Sequence, residues 1–364
     1  MVVVTVLFWA SLGALVWTHA AYPVAARVFA RVRTRAVRKN DGHLPTVSIV
    51  IAAYNEETVI ERRLANLREL DYPADKLELV VTSDASTDRT DELAAGAGAR
   101  VVENPRGGKV AAQDNAVRQT TGEIVAFSDA NCTWDSDALR KLVANFADGD
   151  VAYVCGRLNL QDGDGRNKEG VYWRYELALR ADESRIDSVT GGNGSIYAVR
   201  REDYIEVDPR FGHDLSFPYL MVQRGKRAVY EAAANAYEKA TPTNEDEYRR
   251  KVRMFEHCWA IVIEGKMLRR LRPLYLLEVL SHRHLRYASG ALHLVLLGSS
   301  IALIAHGVIY AVALGVQLGV LLAALFGVGL PRYYVLVTSA TLVALWNYLR
   351  RGVPATWEVA DGTR

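Results

Sequence analysis

The chain has only three cysteines, Cys132, Cys155 and Cys258, and none sits in a C-x-x-C pair. That excludes a disulfide scaffold and a zinc ribbon, and it fits buried, inert thiols in a reduced compartment. Net charge is small as well: 44 basic against 42 acidic residues leave +2, so no global basic field points to nucleic acid. Two nucleotide signatures are missing. No G-x-G-x-x-G follows a strand, because Gly96-Ala97-Gly98 runs into Ala-Arg-Val. Gly107-Gly108-Lys109 lacks both the earlier glycine and the following Ser or Thr of a phosphate-binding loop. Any phosphate bound here has to be neutralised by a metal and by Lys or Arg side chains, and Lys109, at a Gly-Gly turn opening a helix, is placed for that.

What is abundant is apolar sequence at both ends. Val2 to Tyr22 is almost wholly apolar, with His19 its one titratable side chain, and is long enough to cross a bilayer. No basic n-region precedes it and no convincing cleavage pattern follows, so a removed signal peptide is disfavoured. Arg27, Arg31, Arg33, Arg35, Arg38 and Lys39 then follow without an acid among them. By the positive-inside rule this flank is cytoplasmic. Residues 290–330 carry about two further spans, and Tyr333–Leu349 is a possible third.

Between the ends, short β-branched runs alternate with helical periods. Thr46–Ala53, Leu77–Thr82, Arg100–Glu103 and Ile124–Ser128 read as strands; Glu57–Leu70, Thr90–Ala97 and Val110–Thr121 read as helices. The alternation predicts an α/β fold with a mostly parallel, doubly wound sheet. Three of the strands run out into Asn55/Glu56, Asp84 and Asp129. Ligands of open parallel sheets bind beyond the carboxyl ends of strands, so this recurrence predicts a nucleotide cleft along one edge. A carboxylate at Asp129, two residues before Asn131, suits Mg²⁺ or Mn²⁺ carrying a diphosphate. A helix cap is the bland alternative for an Asp in this position.

At these residues a resemblance enters. PTVSIVIAAYNEE, TSDASTDRT, RGGKVAAQDNA and GEIVAFSDANCTW, in that order, resemble the family 2 glycosyltransferases of the GT-A fold, over about residues 45–290. The branch they look like is that of the hyaluronan, chitin and poly-N-acetylglucosamine synthases. The resemblance implies an inverting transfer from a nucleotide sugar. Carried over by position, Ala53, Tyr54 and Glu56 line the base and ribose pocket, Asp84 contacts the base or ribose, and Lys109 approaches the nucleotide. Asp129 is the metal-binding acid of the family's D-x-D. Here the motif reads Asp129-Ala130-Asn131, so its third member is a neutral oxygen ligand. Gly192 and Asn193, in Gly191-Gly192-Asn193-Gly194-Ser195, would lie beneath the donor sugar. Asp214 matches the family's general base, with His213 where the first acid of an acidic pair usually stands.

Other stretches are read from the residues. Val151–Asn159 is a strand, a candidate for the place where sheet direction changes; Gln161–Lys168 is a polar loop; and Tyr172–Ser184 is an amphipathic helix whose aromatics either pack on the sheet or form a sugar platform. Gln223–Tyr230 reads as a helix end, a glycine cap and an edge strand. Arg250 and Arg253, at i and i+3, share a helix face and could clamp a departing diphosphate. They stand where processive synthases carry Gln-x-x-Arg-Trp, which this chain lacks.

The expected organisation is a membrane helix at 1–24, a basic cytoplasmic linker at 25–44 and a GT-A domain at 45–265. An amphipathic interfacial helix at 266–288, two or three membrane helices at 289–350 and a polar tail at 351–364 follow. The expected protein is a multi-pass enzyme of the inner (plasma) membrane with its catalytic domain in the cytoplasm. It would use a nucleotide-sugar donor, expected to be UDP-linked, with a polysaccharide or lipid-linked acceptor, membrane lipids around it and no nucleic acid. Two alternatives stay open: a nucleotidyltransferase, and a non-catalytic membrane-anchored partner that binds nucleotide sugar.

Overall fold

The computed structural model describes residues 1–161, 170–240 and 243–356. The polar loop expected at Gln161–Lys168 and most of the expected tail fall outside them. The sheet has eight strands: β1 (Val47–Ala53), β2 (Leu77–Asp84), β3 (Arg100–Asn104), β4 (Ile124–Asp129), β5 (Thr133–Trp134), β6 (Val151–Gln161), β7 (Tyr197–Arg200) and β8 (Arg227–Lys239). Their order is β3-β2-β1-β4-β7-β6-β8-β5. β3, β2, β1 and β4 are mutually parallel, and so are β6 and β8; β7 runs antiparallel to both of its neighbours, β4 and β6. Direction therefore reverses at β7, and again at the edge strand β5, which runs antiparallel to β8.

β1 is buried along its whole length, which is why it reads as an unbroken Val/Ile/Ala run rather than an alternation. One face of the sheet packs Ile49, Ile51, Ile124 and Val154 against Ile60, Leu64, Leu67, Leu139 and Leu142. The other packs Val50, Val80, Val125 and Phe127 against Ala116, Phe217 and Met221. Register sets the ends of the central strands level: Ala52 pairs with Asp129 across β1 and β4, and Ala53 with Ser83 across β1 and β2. Two non-glycine residues just past these ends have left-handed φ, Asn55 at 55° and Ala85 at 61°. Alanine gains nothing locally from that conformation, so Ala85 is strained at the rim of the cleft.

Three helical segments among the described residues are long and apolar enough to cross a membrane: Val2–Val32, Ser289–His306 and Val308–Leu325. The first extends beyond residue 24, where the expected membrane helix ends. The helix runs on to Val32, with a π-helical turn at Trp17–Ala21 just ahead of Pro23. A wider turn there lets the chain pass a residue that has no N–H and crowds the preceding turn. Its lower part packs Tyr22, Ala26 and Ala30 against Leu179 and Ile186 of the helix Val171–Ile186. The expected basic linker is tied down. Arg27 pairs with Asp182 at 3.2 Å, Arg35 with Asp150 at 2.8 Å and Asp187 at 2.9 Å, and Arg38 with Asp148 at 3.2 Å; Lys39 pairs with Glu231.

The expected interfacial helix begins at Pro273 rather than 266, and passes through a π turn at Leu280–His284. Its polar side is turned onto protein. His282 is 1% exposed and lies 2.7 Å from Glu183 and 3.1 Å from Glu176. Arg286 pairs with Glu176 and donates to Tyr175 Oη at 2.8 Å. These acids come from the helix Val171–Ile186.

Tyr333–Leu349 lies within the helix Gly329–Arg351, which is not one of the three membrane-length apolar helices. It packs along the helix Asn244–Ile263: Trp259 donates to the Thr341 carbonyl at 3.1 Å, Asn347 to Glu256 at 2.7 Å and Tyr348 to Glu264 at 2.6 Å. Polar anchoring accounts for Asn347, Tyr348 and Arg351 in this otherwise largely apolar stretch. Beyond Gly352, Val353 is buried with Phe211, Tyr219 and Tyr275.

Candidate active site

The cleft is built from the carboxyl edge of β1, β2 and β4 and from loops that later elements bring to it. Asp129 ends β4. One of its oxygens pairs with Lys109, the first residue of the helix Lys109–Gln119, and the other accepts from Ser195 Oγ at 3.3 Å. Burial works against the Lys109 charge, but Asp129, with Asp214 and Glu238 behind it, outweighs that and holds its pKa above the usual lysine value. The expected donor loop is drawn against this pair: a Cβ on Gly194 would lie 3.1 Å from Lys109 Nζ and 3.6 Å from Asp129 Oδ2.

Gly192 links the loop to the expected base. Its N–H donates to the Asp214 carbonyl at 2.8 Å, and its own carbonyl accepts from Arg180 at 3.1 Å. No side chain fits at Gly192, because a Cβ there would run into the Tyr153 hydroxyl. Asn193 is turned inward: its amide donates to the Gly156 carbonyl at 2.8 Å, and its oxygen accepts from the N–H groups of Ser195 and Ile196. It shapes the loop rather than facing a ligand. Asp214 lies in the first turn of the helix His213–Gln223 and is part-exposed. Its neighbour His213 is a core residue, 2% exposed, 3.2 Å from Asp114 and from Tyr197 Oη and stacked on Phe217.

Asp84 is 1% exposed, and both its oxygens are engaged, by Arg106 and by the N–H groups of Gly107 and Gly108. It therefore fixes the turn that carries Lys109, while Arg106 lies 3.5 Å from the centre of the Tyr54 ring. Ala53 is buried at the end of β1, and the Glu56 N–H donates to Thr90 at 2.7 Å. Gly108, at φ 94°, is also where the C-terminal segment comes to rest: a Cβ there would strike the Ala355 carbonyl. Arg250 pairs with Glu247 at 2.9 Å and lies within electrostatic reach of Glu238. Arg253, one turn on, has Arg250 and Glu256 among its charged neighbours.

One residue escaped the sequence reading. Glu238, near the end of β8, accepts a hydrogen bond from the Asn131 side chain. Burial, then the charge of Asp129, push its carboxyl up to about 7. Asp129, Asn131, Glu238 and Ser195 offer a set of hard oxygen donors, which is the chemistry that Mg²⁺ and Mn²⁺ prefer. Among the described residues no three acidic, His or Cys side chains are grouped tightly enough to hold a metal by themselves. A cation here would thus share its coordination with the Asn, the phosphates of a ligand and water.

Comparison with known proteins finds a family match over part of the chain. The model for glycosyl transferase family 2 matches residues 48–207. The beta-monoglucosyldiacylglycerol synthase of Synechocystis is 34% identical over 169 residues, covering 42% of this chain and 33% of that protein. The poly-beta-1,6-N-acetyl-D-glucosamine synthase of Staphylococcus aureus is 22% identical over 263 residues, covering 65% of this chain and 61% of that one. The chain spans about a third of the length of the synthases it matches at 32–34% identity. Among solved structures, a mannosyltransferase from Pyrobaculum calidifontis, in complex with GDP-mannose and Mn²⁺, aligns over 96% of this chain and 98% of its own. The TM-score is 0.76 at 24% identity, which establishes a common fold.

Proposed function

Residues 48–207 being a family 2 glycosyltransferase domain, we infer that the chain moves a sugar from a nucleotide-sugar donor to a hydroxyl of a lipid or glycan acceptor, with inversion at the anomeric carbon. The observation that carries this is the meeting of Asp129, Lys109 and the Gly191–Ser195 loop with the Asp214 turn. The nucleotide lies across Tyr54 and the Asp84-braced turn, with UDP as the donor nucleotide. Lys109 leaves Asp129 for the diphosphate and, with Arg250 nearby, stabilises the charge that develops on it. Asp214, on the far side of the loop, takes the proton of the attacking hydroxyl; attack from that side inverts the centre. Mg²⁺ or Mn²⁺ held by Asp129 and Asn131 would supply further stabilisation of the leaving diphosphate.

The three membrane-length helices anchor the enzyme in the inner membrane, with the domain on the cytoplasmic side where the arginine-rich flank belongs. The mannosyltransferase of the same fold was captured with a nucleotide sugar and Mn²⁺, and the relatives named for glucosyldiacylglycerol and for poly-N-acetylglucosamine bracket the acceptor between lipid and glycan.

The test is a panel of nucleotide sugars given to the purified protein in lipid, with the released nucleotide identified. Nucleoside diphosphate release is expected with one donor class, and Asp214→Asn should lower turnover by about 10² to 10⁴ while nucleotide still binds. Release of pyrophosphate, or unchanged transfer by Asp214→Asn, would overturn the assignment.

A further inference from the structure

A two-carboxylate metal motif written with only one carboxylate has to find its second anion elsewhere or bind its ion weakly. The strand pairing provides one. β5 runs antiparallel to β8 with Thr133 opposite Tyr237 and Trp134 opposite Ala236. Continuing that register by one residue brings Glu238 across from Cys132, between Asp129-Ala130-Asn131 and the strand that follows the motif. The Asn131 amide donates to the Glu238 carboxylate. Glu238 also has Asp129, Lys109 and Arg250 as its charged neighbours, all of them residues of the donor site. We propose that Glu238 supplies the second carboxylate of the metal group, held toward Asp129 by Asn131, so that the Asn-Glu pair does jointly what the second acid of a D-x-D motif does alone.

This rests on the glycosyltransferase reading only in requiring that the site handle a metal diphosphate. It assigns a role to β8, which that reading does not use. It also explains why an Asn is tolerated at position 131. An Asp there would add a third negative charge to Asp129 and Glu238, with only Lys109 and Arg250 to offset it. An amide adds none and can hold the Glu in place.

The experiment measures Mn²⁺ binding directly, from the electron paramagnetic resonance of free Mn²⁺, on the full-length protein in lipid with and without UDP. Glu238→Gln should weaken Mn²⁺ binding by about tenfold to a hundredfold. Adding Asn131→Asp to that variant should restore most of the loss, because the lost carboxylate is returned two residues from Asp129. Melting temperature, followed for each variant, separates ligand loss from misfolding. Unchanged Mn²⁺ affinity in Glu238→Gln overturns the proposal, and so does a folded double variant that fails to recover it. A wild-type protein that binds no Mn²⁺ under either condition overturns the metal part of the functional reading and this proposal with it. Donor turnover in the presence of a chelator is then what is left to judge the rest.

Discussion

The part of the molecule from β1 to β5 and the part that meets the apolar helices are held together by different means. In the first, apolar strands do most of the work: Val50, Ile51, Val125 and Phe127 are fully buried, with Arg63 a buried exception that donates to Ser128 Oγ at 2.7 Å. In the second, charge is used inside. Glu183 is 0% exposed and accepts from Tyr22 Oη at 2.8 Å and Thr190 Oγ1 at 2.9 Å, with His282 at 2.7 Å. Those partners come from three separate stretches of chain. The first relies mainly on apolar packing, with Asp84 bracing the Arg106–Gly108 turn at its edge. The second uses polar contacts as fasteners, which makes it specific in geometry and intolerant of deletions.

The strongest way to break this contrast is Glu183→Ala. It takes from the Tyr22 hydroxyl its acceptor and from His282 one of its two acids, and should cost about 3–5 kcal/mol, the usual penalty for removing one partner of a buried ionic group. Thermal or denaturant melts in detergent check this, with Asp129→Ala, a part-exposed carboxylate, as the mild counterpart. Next in size is the seam between the two parts. Gly192→Ala should cost about 1–3 kcal/mol by overpacking against the Tyr153 hydroxyl. Tyr153→Phe should recover part of that, since this buried hydroxyl has no hydrogen-bond partner among the described residues. Melts of the two single variants and the double variant give the coupling. Smallest is Ala85→Gly at the cleft rim. Relieving its left-handed φ is worth about 1–2 kcal/mol, less the extra freedom a glycine brings to the unfolded chain. A small rise in melting temperature is the expected sign.

The same contrast decides what could be read from the sequence. β1, β2 and β4 were legible because each is a local period followed by a polar stop, and Asp129, Lys109 and Asp214 were legible from motif order. β8 was cut short at Tyr230. Its continuation, Glu231-Ala-Ala-Ala-Asn-Ala-Tyr-Glu-Lys239, is rich in helix formers, yet pairing with β6 from Gly156 to Gln161 holds it extended. With that stretch went Glu238. The alternation of buried Ala234 and Ala236 with part-exposed Asn235 and Tyr237 was the available signal. The inward turn of His282 and Arg286 could not be read, because their acids lie on a helix roughly a hundred positions earlier. Asp84 kept its place at a strand end, but the groups it holds, Arg106 to Gly108, are set by a turn whose shape no motif spells out.

The chain of ion pairs from Arg27 to Lys39 has a consequence for reach. A segment that looked like a slack tether is a strut, pinned at four points to the domain it carries. On the proposed placement in a bilayer, the strut fixes the stand-off between the lipid surface and Asp214. Acceptors would then be sorted by how far their hydroxyl projects before any pocket inspects their stereochemistry.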